Sequence, residues 1–450
     1  MPFIRVIAAV TAASLLAACG SHNSTPFVPY SVAGTLRGAS GSGAGKIQHV
    51  VFIVQENRSF DNLFQGYPGA DTRSYGKNSK GQTITLQAVS LADQYVIDHS
   101  HKAMFSACNA PAGDLPGTHC RMNGFNREDS FNGPKNPEYV YVPHTESKPY
   151  FDMAHEWVLA DRMFQSQLDE SFVAHQYVIA AQAQQSVDLP AGAWGCGGNP
   201  SYDLVAVLSQ KRTVKGYQRA CFDYQTLGDE LDAANLPWRF YTSKFNSPSS
   251  GSGSYWSGYQ AVKHIYDGPD WQKDIVTPQS TFITDVGNGK LASFTWITPT
   301  CPNSDHVNCG GGYGPSWVAS LVNAVGESKF WNTTAIFVIW DDWGGLYDHV
   351  RPPYKDFDGL GFRIPMLVIS PYAKENYVSH VQYETASVLR FAEDLFGLGQ
   401  LAAADRRATS PAADCFDFQQ APRAFVPIKA PKDKSFFLHQ KPDLRAPDYE

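Results

Sequence analysis

HVVFIV, residues 49–54, is a short apolar run rich in β-branched side chains, and the polar stretch Gln55-Glu56-Asn57 follows it directly. A continuous apolar run of this length predicts a strand buried on both faces, as in a parallel sheet, rather than an alternating surface strand. Three similar runs occur later, at residues 294–297 (FTWI), 335–340 (AIFVIW) and 364–370 (IPMLVIS). The chain therefore holds at least four candidate strands of one buried sheet.

Helical patterns lie beside these runs, at residues 316–325 and 385–396, where apolar side chains recur at helical spacing. Buried strands combined with helices predict an α/β fold, a three-layer α/β/α sandwich with a mainly parallel central sheet. We expect one catalytic domain over 46–410 and a proline- and charge-rich surface tail over 411–450. The long middle, about 65–290, is interpreted as insertions that shape a pocket.

The composition of the chain narrows the classes of protein to which it can belong. The 450 residues are 43% hydrophobic, which is ample for a substantial core. The net charge of -7, without a Lys/Arg run, argues against a nucleic-acid-binding protein. No apolar run reaches the roughly 20 residues that span a bilayer.

The first 19 residues differ from the rest. Arg5 precedes an apolar stretch over 6–16, and Leu16-Ala17-Ala18-Cys19 places small residues before a cysteine. This pattern resembles a bacterial lipoprotein signal, in which the cysteine is lipidated; an ordinary secretory signal is the alternative. Residues 20–45, rich in Ser, Gly and Pro, are predicted to be a flexible tether. Both alternatives predict export. A lipidated protein would be held in the cell envelope by its lipid alone, and a protein with an ordinary signal would be secreted.

Seven cysteines follow Cys19. They are Cys108, Cys120, Cys196, Cys221, Cys301, Cys309 and Cys415. Export permits disulfides, and the spacing invites the local pairs 108–120, 196–221 and 301–309, with Cys415 left over. Sequence alone does not establish connectivity.

Polar residues stand where the candidate strands end. The first strand runs into Glu56-Asn57, the strand at 335–340 into Asp341-Asp342, and the strand at 294–297 leads to a loop with Asp305-His306. Ligand sites of α/β sheets lie at the carboxyl ends of their strands. Carboxylate and carboxamide oxygens suit a divalent cation, which would also relieve the repulsion between the carboxylates. The alternative is that Glu56 caps a helix and that the two aspartates begin a turn.

Six motifs, in order along the chain, then support a family resemblance. They are HVVFIVQENRSFDNLFQGYPGAD from 49, Asp98-His99-Ser100-His101 with Met122-Asn123-Gly124-Phe125, Asp161-Arg162-Met163-Phe164 leading to Asp169-Glu170-Ser171, Asp305-His306, IFVIWDDWGGLYDHVRPP from 336, and RIPMLVISPYAKENYVSH from 363. Together they resemble the phosphoesterase family that joins bacterial phospholipases C and secreted acid phosphatases. The resemblance implies an alkaline phosphatase-like fold.

The resemblance also implies roles. Ser171 would be the nucleophile, and His99 and His306 would contact the phosphoryl oxygens, one of them as general acid. The metal ligands would be Glu56, Asn57, Asp341 and Asp342, around a divalent ion of unspecified identity. His380 either lines the substrate pocket or caps the helix that begins near Thr385. His175, by contrast, is interpreted as a structural or surface residue.

The chain departs from the family pattern in three places. Asp342 stands where glutamate is usual, and Trp343 where histidine is common. After Ser171 the chain has Phe172-Val173-Ala174-His175 in place of the frequent DPNR. The last difference concerns recognition of the leaving group more than the nucleophile.

Three functions compete. The leading hypothesis is an acid-phosphatase-like phosphomonoesterase with a phosphoryl-enzyme intermediate, favoured by the short chain and by serine where phospholipases tend to carry threonine. The first alternative is a phospholipase C acting on phospholipid head groups. The second is an inactive surface protein that binds phosphorylated ligands, which the retained set of candidate site residues disfavours.

Overall fold

A computed structural model of the protein describes residues 41–192, 194–243 and 256–443. The predicted signal over 1–19 and most of the predicted tether over 20–45 lie outside these residues. In the part that is described, no helix is both long and apolar enough to cross a membrane.

A nine-stranded sheet forms the centre of the fold. Its strands are β1 (His49–Gln55), β2 (Val158–Phe164), β3 (Trp238–Tyr241), β4 (Ile275–Val276), β5 (Phe294–Ile297), β6 (Thr334–Trp340), β7 (Arg363–Ile369), β8 (Tyr377–Ser379) and β9 (Tyr383–Glu384). The order is β4-β3-β5-β1-β6-β7-β2-β8, and β9 also pairs with β2. Only β7 runs antiparallel to its neighbours. The prediction of a mainly parallel sheet is confirmed.

Helices cover both faces of this sheet. They are α1 (Phe60–Phe64), α2 (His101–Cys108), α3 (His144–Glu156), α4 (Ser171–Ala180), α5 (Leu227–Ala233), α6 (Lys263–Tyr266), α7 (Pro269–Asp274), α8 (Thr281–Gly287), α9 (Gly314–Gly326), α10 (Ser387–Phe396), α11 (Ala403–Arg407), α12 (Ala412–Cys415) and α13 (Lys434–His439).

Two rings of β6 show the layering. The Phe337 ring lies 4.9 Å from that of Phe391 on α10. The Trp340 ring, three residues further, lies 5.0 Å from that of Tyr150 on α3. Residues an odd number apart on a strand point to opposite faces, so α10 and α3 cover opposite sides of the sheet. This arrangement is the predicted α/β/α sandwich.

The interpretation of 65–290 as insertions alone needs correction. Three strands of the central sheet, β2, β3 and β4, come from this region. The rest of it does form loops and small sheets, among them the antiparallel pair Leu204–Leu208 with Val214–Arg219. The middle of the chain therefore supplies part of the core as well as the surroundings of the site.

The disulfide pairs suggested by the cysteine spacing are present. The structure forms the disulfides Cys108–Cys120, Cys196–Cys221 and Cys301–Cys309, and Cys415 is a buried thiol. Beyond residue 411 the chain packs on the domain, with Phe437 buried and the Phe425 ring stacked 5.8 Å from that of Trp157. The boundaries of the predicted domain and tail stay predictions.

Candidate active site

The predicted site residues converge at one edge of the sheet, where parallel strands β1, β5, β6 and β2 end. Glu56 and Asn57 follow β1, and Asp341 and Asp342 follow β6. The loop after β2 leads into α4, whose first residue is Ser171. All five of these side chains are buried. The structure thus brings these predicted side chains together at one edge, and their functional roles stay predictions.

Asn57 joins the two strand ends. Its backbone has a φ of 56°, in the left-handed region that asparagine tolerates better than most residues. Its N–H donates to Asp341 Oδ1 at 2.9 Å, and its Nδ2 donates to both oxygens of Asp342 at 3.2 and 3.3 Å. Gly344 (φ 60°) is required beside it, because a Cβ there would lie 2.4 Å from the Asn57 carbonyl oxygen.

Ser171 has a defined hydrogen-bond partner. Its Oγ donates to Asp342 Oδ2 at 3.1 Å. Asp342 is held in turn by the Gly344 N–H, which donates to Oδ1 at 2.7 Å. Ser171 also begins a ten-residue helix, whose first N–H groups have no partners within the helix and attract anions. The hydroxyl thus lies beside both a proton acceptor and a place for a negatively charged group.

His175 is the functional candidate that the sequence interpretation missed. It is completely buried, with Nε2 3.3 Å from Glu56 Oε2 and 3.7 Å from Asp341 Oδ2. His175 is therefore not a surface residue, and its position makes it a candidate ligand beside Glu56 and Asp341. The spacing contained a signal, because residues i and i+4 share a helix face and Ser171 lies four residues earlier.

The residues at this edge fit a metal ion. Glu56, His175 and Asp341 each offer one ligand atom, and these three atoms lie within 4.8 Å of one another. Two further buried oxygens, Asn57 Oδ1 and Asp341 Oδ2, have no hydrogen-bond partner within the described residues. A buried acceptor without a donor is costly unless a cation satisfies it. Carboxylate, carboxamide and imidazole together form a donor set for a divalent cation.

The two predicted catalytic histidines lie together, with ring centroids 6.2 Å apart. His99 Nδ1 donates to the Ile97 carbonyl at 2.9 Å, so in the neutral ring Nε2 accepts from Asn57 Nδ2 at 2.8 Å. His306 Nδ1 lies 3.3 Å from the Asn308 backbone nitrogen, whose N–H donates to it when the ring is neutral with its proton on Nε2.

His380 and His349 bond to other carboxylates. His380 Nδ1 lies 2.9 Å from both oxygens of Asp161, and its side chain is 61% exposed. His349 lies between Asp61, 2.6 Å from Nδ1, and Asp71, 3.0 Å from Nε2. The contacts described for His380 do not include a member of the Ser171 group, and its substrate-binding role stays a prediction.

Burial favours the neutral form of two acids around this centre. It raises the pKa of Asp169 well above its ordinary value, and the charge of Asp188 adds to that effect. Burial likewise raises the pKa of Glu128, and the negative charges of Glu138 and Asp98 raise it further. Both Glu128 oxygens are without hydrogen-bond partners in the described part of the chain.

Fold and site together define an α/β protein with a buried serine beside a candidate metal centre. The chain belongs to the Phosphoesterase family, whose model matches residues 47–399.

Curated relatives are similar over most of the chain. A non-hemolytic phospholipase C of Burkholderia pseudomallei is 23% identical over 412 residues, which cover 78% of this chain and 55% of the relative. Phospholipase C B of Mycobacterium tuberculosis (strain ATCC 25618 / H37Rv) is 24% identical over 78% of this chain and 74% of the relative. Non-specific phospholipase C1 of Arabidopsis thaliana is 25% identical over 87% of this chain and 74% of the relative. The chain thus spans about half the length of the Burkholderia enzyme.

Solved structures give a distant likeness. A protein of the alkaline phosphatase superfamily from Vibrio parahaemolyticus is 12% identical, with a TM-score of 0.37 over 83% of this chain and 72% of the other. A sulfatase from Pseudoalteromonas sp. is 10% identical, with a TM-score of 0.40 over 85% of this chain and 75% of the sulfatase.

Proposed function

We propose that this protein is a metal-dependent phosphodiesterase of the phospholipase C type that uses Ser171 as its nucleophile. The observation that carries the proposal is the hydrogen bond from Ser171 Oγ to Asp342, beside the cluster of Glu56, His175 and Asp341. The relatives quoted above are phospholipases C, which supports the alternative from the sequence over its leading hypothesis of a phosphomonoesterase. Serine in place of threonine does not decide between them, because either hydroxyl can attack phosphorus.

The residues divide the reaction between them. Ser171 Oγ attacks phosphorus and its proton passes to Asp342 Oδ2, while the bond from phosphorus to the leaving oxygen breaks. As an imidazolium ion, His306 would donate its Nε2 proton to that oxygen. Water then attacks phosphorus and gives a proton back to His306, while the bond from phosphorus to Ser171 Oγ breaks and Asp342 returns its proton to Ser171. His99, whose Nδ1 donates to the Ile97 carbonyl, would contact a phosphoryl oxygen in its protonated form, in which Nε2 carries an N–H and no longer accepts from Asn57. Glu56, Asn57, Asp341 and His175 would hold a divalent cation, which supplies positive charge against the negative charge of the phosphate.

A lipid substrate also fits the surroundings of His306. The Trp256 ring is buried and lies 6.0 Å from the His306 ring. An apolar side chain beside the group that faces the leaving oxygen suits a diacylglycerol better than a small polar alcohol. The substrate proposed is therefore a phospholipid, hydrolysed on the lipid side of the phosphate.

Two chromogenic substrates test the proposal. We expect kcat/KM for p-nitrophenylphosphorylcholine to exceed that for p-nitrophenyl phosphate by roughly tenfold or more, because the diester carries the head group that the site would recognise. Phosphatidylcholine vesicles should release phosphocholine. A preference for the monoester would restore the phosphatase hypothesis, and turnover of neither would favour the binding protein.

We further propose that Cys19 carries a lipid, with 20–45 as the tether. The disulfides and the phospholipase C relatives support an exported protein. Cys19→Ser should move the enzyme from the membrane fraction to the soluble fraction with unchanged specific activity, because the predicted tether separates Cys19 from the catalytic domain. Fractionation of cells that express each form checks this, and retention of the variant on membranes would refute lipidation.

A further inference from the structure

A polar cavity of about 270 Å³ lies among residues that are not part of the Ser171 centre. Four cationic side chains line it: Arg73, Lys77, Arg121 and Arg351. His349 lines it as well, and none of its lining residues is acidic. The whole chain has 43 acidic against 36 basic residues, so four cations around one small cavity run against the overall charge.

Their charges are not compensated within the described residues. No salt bridge is found there for any of the four cations, whereas His349 is paired with Asp61 and Asp71. Arg73 has a different partner, since its guanidinium lies 5.6 Å from the centre of the Tyr75 ring. All four side chains are exposed, and four cations around one cavity produce a local positive potential that attracts an anion.

The cavity is built from three anchored segments. Arg73 lies two residues before the strand Tyr75–Lys77, and Lys77 is the last residue of that strand, which pairs with Thr83–Thr85. Arg121 follows the disulfide-bonded Cys120, and its N–H donates to the Cys108 carbonyl at 2.8 Å. Arg351 lies three residues after Asp348, whose carboxylate is fixed by the buried Arg363 guanidinium at 3.0 Å. The cations are thus brought together by the fold.

We propose that this cavity binds a phosphate-bearing anion at a site separate from the Ser171 centre. Guanidinium groups match phosphate oxygens with paired N–H donors, and three of the four cations are arginines. The volume is close to the lower end of small-molecule sites, enough for a phosphate group with a few attached atoms. A free phosphate compound and an anionic lipid head group share this chemistry.

The test compares Arg121→Gln/Arg351→Gln with a charge-matched control, Lys211→Gln/Arg406→Gln, which changes two exposed cations outside the cavity. Calorimetric titration with inorganic phosphate should show an affinity at least tenfold weaker in the cavity variant and unchanged in the control. Hydrolysis of p-nitrophenylphosphorylcholine should be unchanged in both, because none of these residues belongs to the Ser171 centre.

Vesicles distinguish the two sources of phosphate. In a Ser171→Ala background, which prevents hydrolysis, sedimentation with phosphatidylcholine vesicles with or without phosphatidic acid is compared. Binding that requires phosphatidic acid and is lost in the cavity variant identifies a lipid head group, whereas phosphate binding alone identifies a soluble ligand. Unchanged phosphate affinity in the cavity variant would overturn the proposal. If the cavity variant lost phosphate affinity and catalytic turnover together, the cavity would not be a site separate from the Ser171 centre.

Discussion

Ser171→Ala should lower kcat by roughly 10³ or more, which corresponds to about 4 kcal/mol of transition-state stabilisation. The Ser171 hydroxyl donates to Asp342 at 3.1 Å, and alanine leaves nothing that can attack phosphorus from that position. The fold should be unaffected, because the substitution removes one oxygen atom. Initial rates with p-nitrophenylphosphorylcholine, with circular dichroism of each variant, measure the effect.

Ser320→Ala is the matched control. Ser320 is also a buried helical serine, and its hydroxyl donates to the Trp317 carbonyl within α9. It should retain normal kcat. Ser171→Thr should keep part of the activity, since threonine offers the same hydroxyl with one extra methyl group. Rapid quenching of the reaction with p-nitrophenylphosphorylcholine, followed by peptide mass spectrometry, should find a phosphocholine group on Ser171 in the wild type. Near-normal turnover of the alanine variant would indicate a water nucleophile instead.

The sequence predicted those strands whose residues are apolar throughout. β1, β5, β6 and β7 were each found within about one residue of their bounds, because burial on both faces leaves an uninterrupted apolar run. β2 was missed because Asp161 and Arg162 interrupt its pattern. In the structure Asp161 accepts from the Asp71 N–H, and Arg162 pairs with Asp71, so both charges are satisfied by a distant loop. Such partners cannot be read from local periodicity.

The candidate site also contains residues that the local sequence predicts and residues that it does not. Glu56 and Asp341 directly follow strands, and Asn57 and Asp342 come one residue later, so their proximity could be predicted from the common edge at which parallel strands end. Ser171 came from the family resemblance, since the loop after β2 has no local signal for a nucleophile. His175 was missed because its contact with Glu56 joins residues 119 positions apart. Its helical spacing from Ser171 acquires meaning only once α4 is known to begin at the site.

Exhaustive chelation should abolish hydrolysis, and a divalent ion should restore it. The reason is the burial of Glu56, Asp341 and Asp342 at one edge, with two orphaned oxygens on Asn57 and Asp341 that a cation would satisfy. Buried carboxylates this close repel one another unless positive charge lies between them. Inductively coupled plasma mass spectrometry of the purified protein, with rates before and after addition of Mg²⁺, Ca²⁺, Mn²⁺ or Zn²⁺, measures the dependence.

His175→Gln locates the ion. If His175 Nε2 is a ligand, this variant should bind the restoring metal at least tenfold more weakly than the wild type, because glutamine lacks the imidazole nitrogen near Glu56. His155→Gln, which changes an exposed histidine at the end of α3, is the matched control and should bind the metal normally. Melting temperatures of both variants without metal separate loss of a ligand from loss of packing. Full activity in a demonstrably metal-free preparation would exclude a catalytic metal and leave His175 as an internal partner of Glu56.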